Sequence, residues 1–223
     1  MTKLKISFTQ TLPAASGLSA IVVGVQAQAK KSKMAKSHLD SKLTANFNLA
    51  SLGVSSEVGS IKKLAGPGSS VIALLGLGGT INLDSIRDAM GSAARELGDF
   101  EHVVIDLPLT NQEQVLVALE GFQLGNYEYL AYKPKATKRV LSKLTIITSF
   151  KPSAMALREL EVLTSAVHRT RDMVNAPAND LYPEVMVQAA KKLAKGVSVK
   201  VKVWQEKDLS LIHISEPTRL LSI

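Results

Sequence analysis

The chain has 223 residues, with 27 Lys and Arg against 19 Asp and Glu, a formal net charge of +8 and no cysteine. It can therefore form neither a disulfide framework nor a Cys-ligated zinc site, and it has no thiol nucleophile. A hydrophobic share of 46% and a charged share of 21% predict a folded chain rather than a disordered one. No run approaches the roughly 20 apolar residues that a membrane-spanning helix needs, so no membrane association is expected.

The first apolar run, Leu18 to Val25, has two interpretations. Lys3 and Lys5 before it and the Ala27-Gln28-Ala29 step after it resemble a secretory signal with its charged start and small-residue cleavage site. Several polar residues interrupt that pattern, and an unbroken apolar run is equally typical of a buried strand. The strand is the favoured interpretation, and a cytoplasmic protein is expected.

Strand and helix patterns alternate through the next part of the chain. Short apolar runs predict strands that are covered on both faces. These strands are predicted at Ile21–Val25, Val71–Leu75, Val103–Ile105 and Leu144–Thr148. Apolar residues at helical spacing predict one helix that Ser85 caps and Gly98 stops, and a second helix that ends near Gly125. The alternation predicts an α/β layer architecture.

The last third of the chain has a helical pattern of its own. Pro152 and Ser153 predict the start of a long connecting helix, which Asn175-Ala176-Pro177 stops. Pro183 predicts the start of a further helix, which Gly196 ends. Alternating apolar and polar residues from Val197 to Val203 predict a half-buried strand. This unit of about 34 residues is too short to close a core without partners.

The segment Val167 to Glu184, which reads VHRTRDMVNAPANDLYPE, resembles the entry segment of the leucine aminopeptidase (cytosol aminopeptidase) family. Weaker matches lie upstream in the same order, at Leu75–Gly78 and at Glu120–Tyr127 with Tyr132-Lys133 following. The resemblance implies a macro-domain-like amino-terminal domain over residues 1–150, in which a mixed sheet is flanked by helices. It then implies a linker helix over residues 151–176 and the truncated start of an α/β catalytic domain over residues 177–209.

The same resemblance implies an activity for the full-length protein. It would be a metalloaminopeptidase that removes amino-terminal residues from peptides, holds two divalent metal ions (Zn or Mn) and forms a homo-hexamer. In the family the metals are bound by strings like Gly-Lys-Gly-x-x-x-Asp-Ser-Gly-Gly and Asn-Thr-Asp-Ala-Glu-Gly-Arg, and neither occurs here. No residue of this chain therefore inherits a catalytic, cofactor-binding or metal-ligating role, and the chain alone is expected to be inactive.

Two further departures concern single segments. Tyr182 stands where the family more often has Thr before the proline, and Tyr is a poor helix N-cap. The tail Ser210–Ile223 resembles the translated read-through of a sequencing adapter, so the natural protein is expected to continue past Leu209 in a different sequence. Resequencing the transcript against genomic DNA would decide this.

Two features keep other classes of function open. The turn Gly76-x-Gly78-Gly79 could cradle a phosphate, as in a stand-alone macro-like module for a nucleotide or ADP-ribose-type ligand, but a tight turn is favoured. The basic runs Lys30–Lys36 and Lys133–Arg139 could bind DNA, as some bacterial relatives of the family do. Solubilising loops are favoured for both runs, because no aromatic residues are interleaved with the charges.

The four histidines are not expected to form a metal site. His38, His102, His168 and His213 lie far apart in sequence, and no His-x-x-x-His pair occurs. His168 has Arg169 and Arg171 beside it and is expected on a solvated helix face.

Overall fold

The computed structural model describes residues 4–13, 18–28, 31–39, 48–66, 70–133, 139–195 and 197–205. The chain divides into two compact units, Met1–Arg171 and Asp172–Ile223. The expected tail Ser210–Ile223, which includes His213, and residues 134–138 of the second basic run lie outside the described residues. Within the described part, no helix has the length and apolar character needed to cross a membrane.

The first unit is built on one mixed sheet of seven strands, counted over the described residues. The order along the sheet is β1-β7-β6-β2-β5-β4, and β3 pairs with β2 outside this path. The neighbouring strands from β1 to β5 along this order are parallel. β3 pairs antiparallel with β2, and β4 pairs antiparallel with β5. The strands are β1 (Lys5–Thr9), β2 (Ser19–Gln28), β3 (Lys31–Met34), β4 (Ile61–Ala65), β5 (Val71–Gly76), β6 (His102–Asp106) and β7 (Lys143–Ile147).

The central strand β2 is buried, which explains why its apolar run predicted a strand correctly. Its residues from Ser19 to Val25 are all buried, because the strand has neighbours on both edges and covered faces above and below. The strand interpretation of the run Leu18–Val25 is therefore confirmed. The strands predicted within β5, β6 and β7 are confirmed as well, although β7 ends at Ile147, one residue before the predicted end.

Two helices cover one face of this sheet, α1 (Leu83–Glu96) and α2 (Gln112–Gly125). The predicted cap of α1 at Ser85 is wrong by one turn, because the helix begins after Asn82. The Asn82 side chain accepts a hydrogen bond from the Ser85 backbone N–H (2.8 Å), and Ser85 Oγ accepts one from the Asn82 N–H (2.9 Å). Ser85 is thus the third residue of a capping box whose N-cap is Asn, a preferred residue there.

The hydrophobic core lies on both faces of the sheet. On the helical face, the side chains of β2, β5, β6 and β7 pack against α1 and α2, with Phe122 and Met90 fully buried among them. On the opposite face, residues from the segments around Leu39, Leu49 and Val54 cover the strands. This two-sided cover makes the central strands continuous apolar runs.

The long helix predicted after Pro152 is confirmed as α3 (Ala154–Asn175). Ser153 Oγ accepts a hydrogen bond from the Ala156 N–H (3.2 Å), so Ser153 caps the helix at the expected place. Only Thr164 is buried along its length.

The second unit contains the helix α4 (Pro183–Ala194). Pro183 occupies the first helical position as predicted, and the preceding Tyr182 makes no side-chain capping hydrogen bond, which confirms the weak cap. The strand predicted over Val197–Val203 is wrong: residues 197–198 form a turn and residues 199–205 have no regular structure. An alternating pattern needs a ladder partner, and no strand pairs with this segment among the described residues.

Candidate functional site

The segment Glu120–Tyr127, one of the family-matching strings, packs α2 tightly against α1. A Cβ on Gly121 would overlap the carbonyl oxygen of Arg87 and lie 2.9 Å from its Cα, and a Cβ on Gly125 would lie 2.6 Å from the Cα of Gly91. Ordinary carbon–carbon contacts are about 3.5–4.0 Å. Two glycines four residues apart therefore let the two helix backbones touch.

An ion-pair network spans the same helix crossing. Arg87 Nε donates to Glu120 Oε2 (3.1 Å), and Arg87 Nη1 donates to Asp84 Oδ1 (2.6 Å). The hydrogen bond to Glu120 is the main cause that raises the pKa of Arg87. Glu120, the first residue of the string, thus has a structural partner rather than a catalytic one.

The carboxyl end of α2 is capped by cationic and aromatic side chains. His168 Nε2 lies 3.1 Å from the Gln123 carbonyl oxygen, and Arg171 Nη1 donates to the Leu124 carbonyl oxygen at 2.7 Å. The Tyr127 ring packs on both, with its centroid 5.3 Å from that of His168 and 5.5 Å from the Arg171 guanidinium carbon. The last carbonyls of a helix lack intrahelical partners and carry partial negative charge, so they attract such donors.

This geometry corrects the expectation for His168. It does not lie on a solvated helix face, because it is partly buried against Tyr127 and the end of α2. Sequence periodicity alone does not show which helix end will meet a given side chain. The contact between His168 and the end of α2 could have been predicted from the family resemblance. One matching string ends at Tyr127 and the other begins at Val167, so the two could have been expected to meet.

The strongest family-matching string continues in the second unit as a helix–turn–helix connection. The Ala176 N–H donates to the Asp172 carbonyl (3.0 Å), and the Pro177 carbonyl accepts from Asp180 and Leu181 N–H groups, both at 2.9 Å. Proline at the end of α3 and at the start of α4 dictates the break. The hydrogen bonds to the Pro177 carbonyl close the turn between the two helices.

At the carboxyl edge of the sheet, a buried carboxylate fixes the chain segment that follows β3. Asp106, at the end of β6, is 1% exposed and accepts from the His38 backbone N–H (2.5 Å) and from His38 Nδ1 (2.8 Å). Ala35 of the same segment packs near Gly24, where a Cβ would come within 3.3 Å of it and 2.6 Å of Leu77. Apolar side chains fill this part of the edge.

The Gly76-x-Gly78-Gly79 turn is explained largely by close packing and backbone conformation. A Cβ on Gly76 would overlap the Glu57 carbonyl, and Gly78 has a positive φ of 82°. Only glycine tolerates both situations without strain. Gly79 differs, because its added Cβ would meet no atom within 4 Å.

A row of polar side chains crosses the strands β1, β7 and β6. Thr145 Oγ1 lies 2.8 Å from His102 Nε2 and 2.8 Å from Ser7 Oγ. Burial, assisted by the positive charge of Lys143, lowers the pKa of His102, while Glu101 opposes the shift. These side chains are one another's hydrogen-bond partners within the sheet, so their arrangement has a structural explanation.

The basic runs take part in the fold where the structure describes them. Residues 31–34 of the first run form strand β3, so the expectation of a solubilising loop is wrong there. Arg139, which closes the second run, donates to the Ala94 carbonyl (3.1 Å) and pairs with Glu128 (2.9 Å). A charge in such a run can be recruited by a nearby helix end, which composition does not reveal.

The described residues offer no donor set for a metal. Over the described ranges, no group of three or more His, Asp or Glu side chains could hold a metal ion. The family-matching residues meet instead in helix packing and capping contacts. They belong to an α/β domain that is followed by a long helix.

Comparisons with known proteins agree with this class. The family model described as "Cytosol aminopeptidase family, N-terminal domain" matches residues 22–136. The chain therefore belongs to the cytosol aminopeptidase family, and the match is to its amino-terminal domain.

The relatives extend the likeness along most of the chain. A probable cytosol aminopeptidase of Clavibacter michiganensis is 31% identical over 71% of this chain and 34% of its own length. One of Leifsonia xyli is 27% identical over 94% of this chain and 43% of its own length. The chain thus spans less than half the length of these relatives.

Solved structures share the fold. A mutant of tomato leucine aminopeptidase has a TM-score of 0.77 at 22% identity, over 95% of this chain and 46% of that one. The bottromycin maturation enzyme BotP in complex with Mn has a TM-score of 0.63 at 20% identity, over 88% of this chain and 40% of that one. The α/β fold with a mixed sheet flanked by helices is confirmed, and it matches the amino-terminal domain of leucine aminopeptidase.

Proposed function

We propose that this chain is the amino-terminal, non-catalytic part of a two-metal leucyl-type aminopeptidase, a hydrolase that removes amino-terminal residues from peptides. The observation that carries the proposal is the family match over residues 22–136. The packing of Gly121 and Gly125 and the capping by His168 and Arg171 support it, because they give the matching strings a shared structural purpose. The proposed domain boundaries are 1–150, 151–176 and 177–209.

The proposal places the two divalent metal ions, Zn or Mn, outside this chain. The donor groups of the described residues do not fit such a centre, and both metal-binding strings of the family are missing from the sequence. The chain itself would supply the scaffold and the connector α3, and it would release no leucine on its own.

Assembly and location belong to the same proposal. The full-length protein would be a homo-hexamer, as the family resemblance implies, and cytoplasmic, as the relatives' name "cytosol aminopeptidase" suggests. This chain alone, with a mass of 23.9 kDa, is not expected to assemble into a stable hexamer. Light scattering during size-exclusion chromatography measures that mass directly, and a stable hexamer of this chain would contradict the proposed division of labour.

The activity test uses the purified chain with leucine p-nitroanilide, in the presence of Mn²⁺ or Zn²⁺, beside a full-length cytosol aminopeptidase as a positive control. We expect colour release from the control and none above background from this chain. Release by this chain that a chelator abolishes would overturn its non-catalytic role.

A second test separates the role of the chain from the identity of the enzyme. The genomic sequence after the codon for Leu209 should encode the two metal-binding strings in the same reading frame. If it instead encodes the residues 210–223 and a stop codon, the proposed enzyme does not exist, whatever the result of the activity test.

A further inference from the structure

We propose that a polar pocket beside the β2–β3 hairpin binds a phosphate-bearing small molecule. The pocket has a volume of about 570 Å³ and lies past the carboxyl ends of the parallel strands β2 and β5. The groups that line it and matter here are Gln26, Gln28, Lys33, Lys36 and Gly79. This inference does not depend on the peptidase function proposed above.

Charge selects the ligand class. Two of the lining side chains are cationic, and none of the described residues that line the pocket carries a carboxylate. Lys33 and Lys36 are exposed, and neither forms an ion pair with a described residue. Two uncompensated ammonium groups in one concavity favour a multiply charged oxyanion, and the glutamine amides add neutral hydrogen-bond donors.

The main chain leaves room for close approach. Ala27 N–H donates to the Gly78 carbonyl (3.0 Å), which ties the glycine turn to the hairpin. The next residue, Gly79, has open space where a side chain would stand. Its N–H forms no hydrogen bond within the described residues. A glycine with a free N–H at a pocket wall lets an anion reach the backbone.

The hairpin also fixes the backbone positions of one lysine and one glutamine beside each other. Gln26 and Lys33 are directly opposite each other in the β2–β3 ladder, so their side chains lie on the same face. The Ala35 N–H donates to the Gly24 carbonyl (2.8 Å), and the Asp106–His38 contact fixes the chain two residues past Lys36. Such preorganisation lowers the ordering cost of binding.

Shape favours a small molecule over a nucleic acid. The volume lies within the range of about 300–1,000 Å³ that is usual for small-molecule sites. A nucleic acid is instead tracked by a row of cations along an extended groove. The site therefore suits a compact diphosphate group, with the remainder of the ligand unspecified.

The test titrates inorganic pyrophosphate against the full chain by calorimetry at low ionic strength. The variant Lys33→Gln/Lys36→Gln should weaken binding by up to about 25-fold, since each exposed charge pair contributes up to about fivefold. Gly79→Glu should abolish it, because it places a carboxylate in open space without touching the fold. The matched control Lys191→Gln/Lys192→Gln removes two exposed lysines from α4 and should leave binding unchanged.

Each other outcome counts against the site. Absence of pyrophosphate binding overturns the proposal, and so does equal weakening by the two double-lysine variants, which would indicate attraction by net charge alone. A DNA duplex titrated in parallel distinguishes the source of phosphate: binding of DNA without binding of pyrophosphate would assign the lysines to a nucleic acid and refute the small-molecule site.

Discussion

The close contact of α1 and α2 makes a sharp prediction for two glycines that face each other. In Gly121→Ala the new methyl group would overlap the Arg87 carbonyl and sit 2.9 Å from the Arg87 Cα. In Gly91→Ala the nearest atoms to the new methyl group, Gly121 O and Arg95 Nη1, are both 3.5 Å away. The methyl group of Gly121→Ala would therefore clash with backbone atoms, whereas that of Gly91→Ala would make ordinary van der Waals contacts.

The magnitudes follow from two opposing terms. Overpacking a well-packed interface costs about 1–3 kcal/mol, and replacing glycine by alanine inside a helix returns about 0.5–1 kcal/mol. Because the new methyl group of Gly121→Ala would meet backbone atoms, the upper part of the overpacking range applies, about 2–3 kcal/mol. This substitution should therefore lower the free energy of unfolding by about 1–2.5 kcal/mol. Gly91→Ala, which has only the favourable term, should raise it by about 0.5–1 kcal/mol.

Urea denaturation followed by far-ultraviolet circular dichroism measures both variants beside the wild type. Comparable m-values would show that the same surface is exposed on unfolding, so that the midpoints can be compared. The reasoning fails if Gly121→Ala is as stable as the wild type, or if the two variants change stability in the same direction.

Three further predictions concern buried polar groups. Asp106→Asn should speed amide hydrogen exchange in residues 35–39, because one of the two His38 donors would then face an N–H group in place of an oxygen. Unchanged exchange would show that the contact between Asp106 and His38 does not hold this segment in place. Ser19→Ala should be neutral or stabilising by up to about 1 kcal/mol, since Ser19 Oγ is buried without a described partner; a clear loss of stability contradicts this. Because the pKa of His102 is lowered from 6.5, acid below that pH protonates the unfolded chain first and stability falls. His102→Gln should lose less stability between about pH 8 and about pH 5, and equal losses would refute the assignment.

The parts of the fold that could be predicted are those where one physical demand dominates. β2 is buried along both faces, so its apolar run identifies it regardless of its neighbours. The missed strands β1, β3 and β4 lie away from the middle of the sheet. All three mix lysine with apolar residues, and β1 and β3 also contain serine. Their strand structure comes from pairing, which involves residues far away in the sequence.

Errors at the ends of elements have the same origin. The alternation from Val197 to Val203 satisfies a local rule, but without a described partner strand the segment forms short-range bonds instead, such as Val199 N–H to the Val197 carbonyl (2.8 Å). The displaced cap at Asn82 arose because Ser85 also fits the cap pattern. The contacts of His168 depend on where α2 ends against α3, which no local pattern contains.

The family resemblance indicated what local rules could not: the strings Glu120–Tyr127 and Val167–Glu184, which lie far apart in the sequence, belong to one structural plan of the family. No sequence rule joined Tyr127 to Arg171 or His38 to Asp106, because those contacts span 44 and 68 positions. The composition of the basic run shows the lysines of the hairpin pocket, but only the β2–β3 register shows that Lys33 lies opposite Gln26.

The touching backbones of α1 and α2 bear on how descent in this family is read. Residues 121 and 125 are constrained by the distance between two helix axes, a demand that persists when chemistry is lost or exchanged. A paralogue that has lost its catalytic residues should therefore keep both glycines. Two sequences that share these glycines share the helix packing, but this says nothing about whether they share a substrate.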